Sequence, residues 1–196
     1  TSNYWRNDLA IVDTEQGEYH CWRAAKSISN LAERQVVYYK VAGLSGDKKK
    51  RLVEIHLEKN AGCGIMILDN IVHFLNDFND TKESSALVEW LIGIKNQYKC
   101  HIIVVLHENG SMSGGGKAKG HIGSLLENTC ETVIRVEKDT SNSMSSIVSP
   151  ALTRNREFGK FTIEMDDDWI PHLRRYDETE TATDKKDIEN FRKQKF

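Results

Sequence analysis

Two apolar runs end in carboxylates: Leu9-Ala-Ile-Val-Asp13, continuing Thr14-Glu15-Gln16, and Ile65-Met-Ile-Leu-Asp69, followed by Asn70. An aspartate after four apolar residues sits at the wet end of a dry strand, where it can hold a magnesium ion directly or through water. Asp69 has that placement; its other reading is a cap on the turn it starts with Asn70. Glu15 can orient and polarise a water for attack on a terminal phosphate, which requires a carboxylate within hydrogen-bond reach of that water. Its other reading is a favourable charge near the start of a helix beginning around Glu18. In open α/β sheets ligands lie beyond the carboxyl ends of the strands, so both runs aim acids at the usual place.

The elements that must position these acids follow from hydrophobic pattern. The two runs, together with Ile102-Ile-Val-Val-Leu-His107, are uninterrupted and short, which suits parallel strands covered on both faces. Tyr19, Trp22, Ala25, Ile28 and Ala32 recur at helical spacing, as do Leu87, Trp90, Leu91, Ile94 and Tyr98 after the polar Asn79-Asp80-Thr81. Val36 to Val41 reads as a further strand and Lys48 to Lys59 as a helix, while Ser124 with Glu127 forms a capping box for a short helix towards Cys130. Strand followed by helix, repeated, predicts an open α/β sheet. After Glu131 the pattern changes. Thr132 to Val136, Ile147 to Thr153 and Lys160 to Met165 read as strands joined by short turns, hence antiparallel pairing at one edge. From Tyr176 onward the chain is charged and nearly devoid of apolar residues, a solvated tail or a helix needing a partner.

Composition narrows the class. A chain of 196 residues with 39% hydrophobic and 29% charged residues is an ordinary globular protein of one-domain length. A net charge of −2 exerts no global pull on nucleic acid, so any such contact needs a local basic patch. The four cysteines, Cys21, Cys63, Cys100 and Cys130, form no C-x-x-C pair and read as reduced core thiols of a cytoplasmic protein. No apolar run approaches the roughly 18 residues of a membrane span.

The stretch SGGGKAKG, Ser113 to Gly120, raises the question of a phosphate-binding loop. It fails the G-x-x-x-x-G-K-[ST] pattern at both ends, with Ser111 where the first glycine belongs and Ala118 where the hydroxyl belongs. Flexibility with two lysines is what remains: either a contact to a phosphate backbone or an ordinary surface loop.

Asp13-Thr-Glu15-Gln, Ile-Leu-Asp69-Asn, and Leu106-His-Glu-Asn109 followed by the glycine-and-lysine loop resemble the RecA-type P-loop ATPases. The likeness is to those of plasmid replication and mobilisable-element transfer, with replicative helicases more distant, and it runs from Leu9 to about Leu173. It implies a mostly parallel sheet flanked by helices, with antiparallel strands at the C-terminal edge, over residues 1–175, then a charged tail or helix over 176–196. It implies ATP and Mg2+ as cofactors, DNA as partner, single-stranded or bound without sequence preference, and a homo-oligomer that can be a hexameric ring. By position, Glu15 would activate water and Asp69 would be the Walker B aspartate on magnesium. His107 would sense the terminal phosphate, with Asn109 sharing that task, and Lys117 and Lys119 would meet the DNA backbone in a salt-sensitive way. Thr153-Arg154-Asn-Arg156-Glu-Phe-Gly159 resembles the hairpin carrying trans-acting arginines, whose guanidinium neutralises charge on the transferred phosphoryl group. Arg154 and Arg156 share parity, so extended chain would put both on one face; the alternative is a charged turn.

One departure matters. The family's first strand, P-loop and helix should precede Leu9, where only TSNYWRND stands. The non-Met start points to a fragment, and little or no hydrolysis is expected from this polypeptide alone. The alternatives are a non-hydrolysing DNA-binding or assembly module that lost the P-loop, and a nucleotide-binding regulator that never touches DNA. Other features take plainer readings: His56, His73, His101 and His121 as satisfied or solvent-facing, Trp22, Trp90 and Trp169 as core, Asp166-Asp-Asp168 as an acidic hairpin turn, and Asn76 to Asp80 as the lead into a helix.

Overall fold

The computed structural model describes residues 8–33, 36–107, 120–156 and 158–175. They form two compact units that divide between Cys130 and Glu131, where the hydrophobic pattern changes.

In the first unit the expected alternation is present. Its elements are β1 (Asp8–Asp13), α1 (Glu18–Ala32), β2 (Val36–Lys40), α2 (Gly46–Lys59), β3 (Cys63–Asp69), α3 (Thr81–Tyr98), β4 (His101–Val104) and α4 (Gly120–Thr129). A 3-10 turn at Ile71–Phe74 links β3 to α3. The strands are parallel in the order β2-β1-β3-β4, and Asp13 is level with Asp69 in the register. Period two then sorts the side chains. Ala10, Val12, Met66 and Leu68 share one face and are fully buried with Val53 and Leu57 of α2 and Leu87, Leu91 and Ile94 of α3. Each large side chain buried there contributes about 1.5–3 kcal/mol.

The opposite face is covered unevenly. Over β1 and β2 lies α1, whose Cys21 is buried against Asp13. Over β3 and β4, Ile65 stays 37% exposed and Ile103 48% exposed, and no described helix covers them. Trp22 and Tyr19 also point outward, 59% and 64% exposed, so Trp22 is not core. Steps of three residues drift by about 60° per step around a helix, and Tyr19 and Trp22 drift off the inward row made by Cys21, Ala25 and Ile28. Arg23 and Lys26 lie over their rings, 5.7 and 5.1 Å from the centroids. Trp169 is likewise 45% exposed, whereas Trp90 packs against the core and donates to Glu54 Oε1 at 3.0 Å. His56 is buried but only half satisfied: Nδ1 meets the Tyr39 hydroxyl at 3.0 Å, and Nε2 has no hydrogen-bond partner among the described residues.

Helix starts show where local chemistry decides. Asp80 caps α3, accepting from the amides of Lys82 and Glu83, while Glu83 reaches back to the amides of Asn76 and Asp77. The capping box expected at Ser124 is absent because α4 already begins at Gly120. Gly120 has φ +69° and lies so close to Phe78 O that a Cβ would come within 2.8 Å of it, so only glycine fits this start. β4 ends at Val104, which leaves His107 three residues beyond the strand.

The second unit holds β5 (Thr132–Lys138), β6 (Ser145–Thr153), β7 (Phe161–Met165) and β8 (Pro171–Arg175), antiparallel in sequence order. Antiparallel strands were expected at the edge of the parallel sheet; they hydrogen-bond into a sheet of their own, with β8 as an additional strand. The Asp166–Asp168 stretch is the tight turn between β7 and β8, where Asp166 Oδ1 accepts from the amides of Asp168 and Ile170. Among the described residues no helix is long and apolar enough to cross a membrane.

α2 braces the 3-10 turn from behind. The Gly46 Cα lies so near the Phe74 carbonyl that an added Cβ would overlap it, and the buried Lys49 ammonium donates to His73 O at 2.8 Å. Gly46→Ala should therefore lower unfolding stability by about 1–3 kcal/mol through overpacking, measured as a reduced urea midpoint at unchanged m-value.

Candidate functional site

At the end of β1 the Asp13 carboxylate is 1% exposed. Such a group must be supplied with donors, because an uncompensated buried charge costs several kcal/mol. Oδ1 accepts from the amides of Glu15 and Gln16, both at 2.9 Å, and Oδ2 accepts from the Tyr38 hydroxyl at 2.6 Å and the Cys21 thiol at 3.8 Å. The first two bonds make a side-chain-closed turn that fixes where the chain carries Glu15. Burial and the adjacent carboxylate push both the Tyr38 phenol and the Cys21 thiol upward, so both stay protonated as donors.

Beyond the ladder, Thr14 stitches β1 to β3. Its amide donates to Asp69 O at 2.6 Å and its hydroxyl oxygen accepts from the Asn70 amide at 2.9 Å. The Asp69–Asn70 peptide bond is cis. Asn70 is buried; its Oδ1 accepts from the Val72 amide at 3.2 Å and its Nδ2 donates to Glu15 Oε1 at 3.2 Å. Two imidazoles flank the same carboxylate: His73 Nε2 lies 3.6 Å from Glu15 Oε1, and His107 Nε2 lies 3.3 Å from Oε2. Glu15 and His107 are thus in contact, and Asp69, at the end of the adjacent strand, lies near enough for both to act on its charge. Asn109, Lys117 and Lys119 lie outside the described residues. Arg154 and Arg156 belong to the second unit, exposed on the connection after β6; a bend at Arg154–Asn155 removes the extended parity that would have given them one face.

Four contributors escaped the sequence reading: Asp13 as the turn's anchor, Thr14 as the stitch, Asn70 as a donor to Glu15, and His73. Asn70 and Thr14 are immediate neighbours of the two acids, which is the one signal available. His73 reaches the site through a 3-10 turn that no hydrophobic period announces.

The Asp69 carboxyl is raised from its ordinary value by burial first, then by the charges of Asp13 and Glu15, with His107 and His73 partly offsetting. Among the described residues no donor reaches this carboxylate, and no cluster of three or more His, Cys, Asp or Glu side chains is placed to hold a metal unaided. One half-buried carboxylate among other acids suits Mg2+, which is held through one or two carboxylates plus waters and substrate phosphates. A raised folded-state value means that ionised Asp69 opposes folding above that value and ceases to do so below 3.8, where it is neutral folded or unfolded. Asp69→Asn is therefore expected to unfold at higher urea than the parent near neutral pH, the two converging as pH falls below 3.8.

No family profile and no curated relative matches the chain. Among solved structures it is similar to a DnaB-like replicative helicase, described with its interactions with primase, at TM-score 0.62 and 12% identity. The fold is RecA-like. The match covers 87% of this chain and 52% of the helicase chain, so this chain spans about half the length of that neighbour.

Proposed function

We propose that the chain is the core of a RecA-like ATPase of a plasmid or mobile element that couples ATP hydrolysis to work on DNA, in replication initiation, unwinding or mobilisation. The observation that carries this reading is the placement of Glu15 and Asp69 at adjacent strand ends, whose backbones the Thr14 and Asn70 bonds tie together. Glu15 takes the proton of a water whose oxygen bonds the terminal phosphorus of ATP as the bond to the ADP oxygen breaks. Asp69 would hold Mg2+, which when bound would draw charge off the phosphate oxygens. His107, on the Oε2 side of Glu15, senses the terminal phosphate. Asn109 shares that task, Lys117 and Lys119 contact single-stranded or non-specific DNA, and Arg154 or Arg156 acts across a homo-oligomer interface such as a hexameric ring.

The uneven sheet supports the same reading. A parallel sheet is covered on both faces, and here the exposed Ile65 lies on β3 and Ile103 on β4, which pairs with β3 on one side alone among the described residues. A strand, phosphate loop and helix entering beside β4 would complete both edge and face and bring the phosphates over Asp69. The reading thus requires a G-x-x-x-x-G-K-[ST] roughly 30–40 residues before Glu15 in the coding sequence, the span of a strand–loop–helix unit.

In a polypeptide extended to include that unit, Glu15→Gln should lower kcat about 100-fold or more while ATP binding persists, and chelating magnesium should stop turnover. Unchanged turnover in Glu15→Gln would remove Glu15 from the mechanism; nucleotide or DNA binding with no turnover in the parent would favour the non-hydrolysing module. For the DNA contact, changing Lys117 and Lys119 to Ala should reduce the slope of log K against log salt by about 1.4 on a single strand. An unaltered slope in a titration with oligonucleotide excludes that loop as the contact.

A further inference from the structure

Glu15 is held asymmetrically: Oε1 faces Asn70 and His73, and Oε2 faces His107. The Thr14 hydroxyl oxygen already accepts the Asn70 amide, so its own proton has two acceptors: Asn70 O at 3.5 Å or His73 Nδ1 at 2.8 Å. The shorter contact is the stronger hydrogen bond. Donation there makes Nδ1 an acceptor, and a neutral imidazole then carries its proton on Nε2. That Nε2–H faces Glu15 Oε1 at 3.6 Å, long for a closed bond and in the range from which such contacts tighten once substrate is bound. Oε1 also receives the Asn70 amide nitrogen at 3.2 Å, whereas Oε2 meets only the exposed His107 among the described residues. Lys49 and Gly46 of α2 fix the backbone that carries His73.

We propose that Thr14 and His73 are positioning residues: the Thr14 hydroxyl sets the Nε2–H tautomer of His73, which with Asn70 clamps Oε1 of Glu15 and leaves Oε2 as the oxygen that accepts a proton from water. The second half rests on the ATPase reading; the tautomer and the clamp do not. If hydrolysis is present, His73→Gln lowers kcat about tenfold with KM for ATP unchanged, since the clamp directs the base and does not touch nucleotide. Thr14→Ser, which keeps the hydroxyl, retains the parent kcat, and Thr14→Val loses as much as His73→Gln. A rise in KM without a fall in kcat rejects the positioning role.

The test that needs no turnover is nitrogen NMR of the imidazoles in the 196-residue chain labelled with 15N-histidine. The His73 signals, assigned by their loss in His73→Gln, are expected to show a protonated Nε2 and an unprotonated Nδ1. They should keep that pattern in Thr14→Ser and move in Glu15→Gln, an exposed substitution that leaves the fold intact. An Nδ1–H pattern in the parent, or His73 signals indifferent to Glu15→Gln, overturns the proposal and leaves the ATPase reading standing. Absence of hydrolysis in the extended polypeptide overturns that reading and leaves the tautomer result standing.

Discussion

A fully buried carboxylate has to be given donors, and the way Asp13 obtains them organises the site. Two come from the backbone just ahead of it, so satisfying Asp13 and folding the turn that aims Glu15 are the same event. Two come from side chains on different elements, Tyr38 on β2 and Cys21 on α1, so the turn is locked only when β1, β2 and α1 are assembled. A chemical requirement on one buried group thus becomes a geometric requirement on an exposed one two residues away.

The second acid is tied to the first by the bonds beyond the β1–β3 ladder. Parallel pairing brings Asp13 level with Asp69, and Thr14 continues the pairing one residue past it. Glu15 and Asp69 therefore ride on one rigid strand pair, and the 3-10 turn behind them is backed by α2. Precision of this kind is easier to hold on strands and helices than on free loops. The price appears at Asp69, whose charged form is disfavoured by burial first and then by Asp13 and Glu15, with His107 and His73 partly offsetting.

Much of this was legible in the residues. Unbroken apolar runs announced the parallel strands, the polar Asn79-Asp80-Thr81 announced the start of α3, and acids after dry runs marked the strand ends that lie side by side in the sheet. What escaped was set by tertiary contacts. Trp22 fits a spacing of three, yet that spacing winds around α1 and carries the ring to solvent. Ser124 has the residues of a cap, but Gly120 lets the helix start a turn earlier by lying against Phe78. Arg154 and Arg156 lose their shared face to a bend. His73 became part of the site because a buried lysine and a close glycine hold its turn in place, and neither is visible as a pattern.

The half-face of Ile65 and Ile103 has a consequence for handling the molecule. Apolar surface next to a strand that pairs on one side alone among the described residues is a template on which other chains can add; the shortness of β4 works against this, but the strand holds neither proline nor lysine. A single lysine in place of Ile103 would blunt that surface while leaving the α2 and α3 side of the sheet untouched.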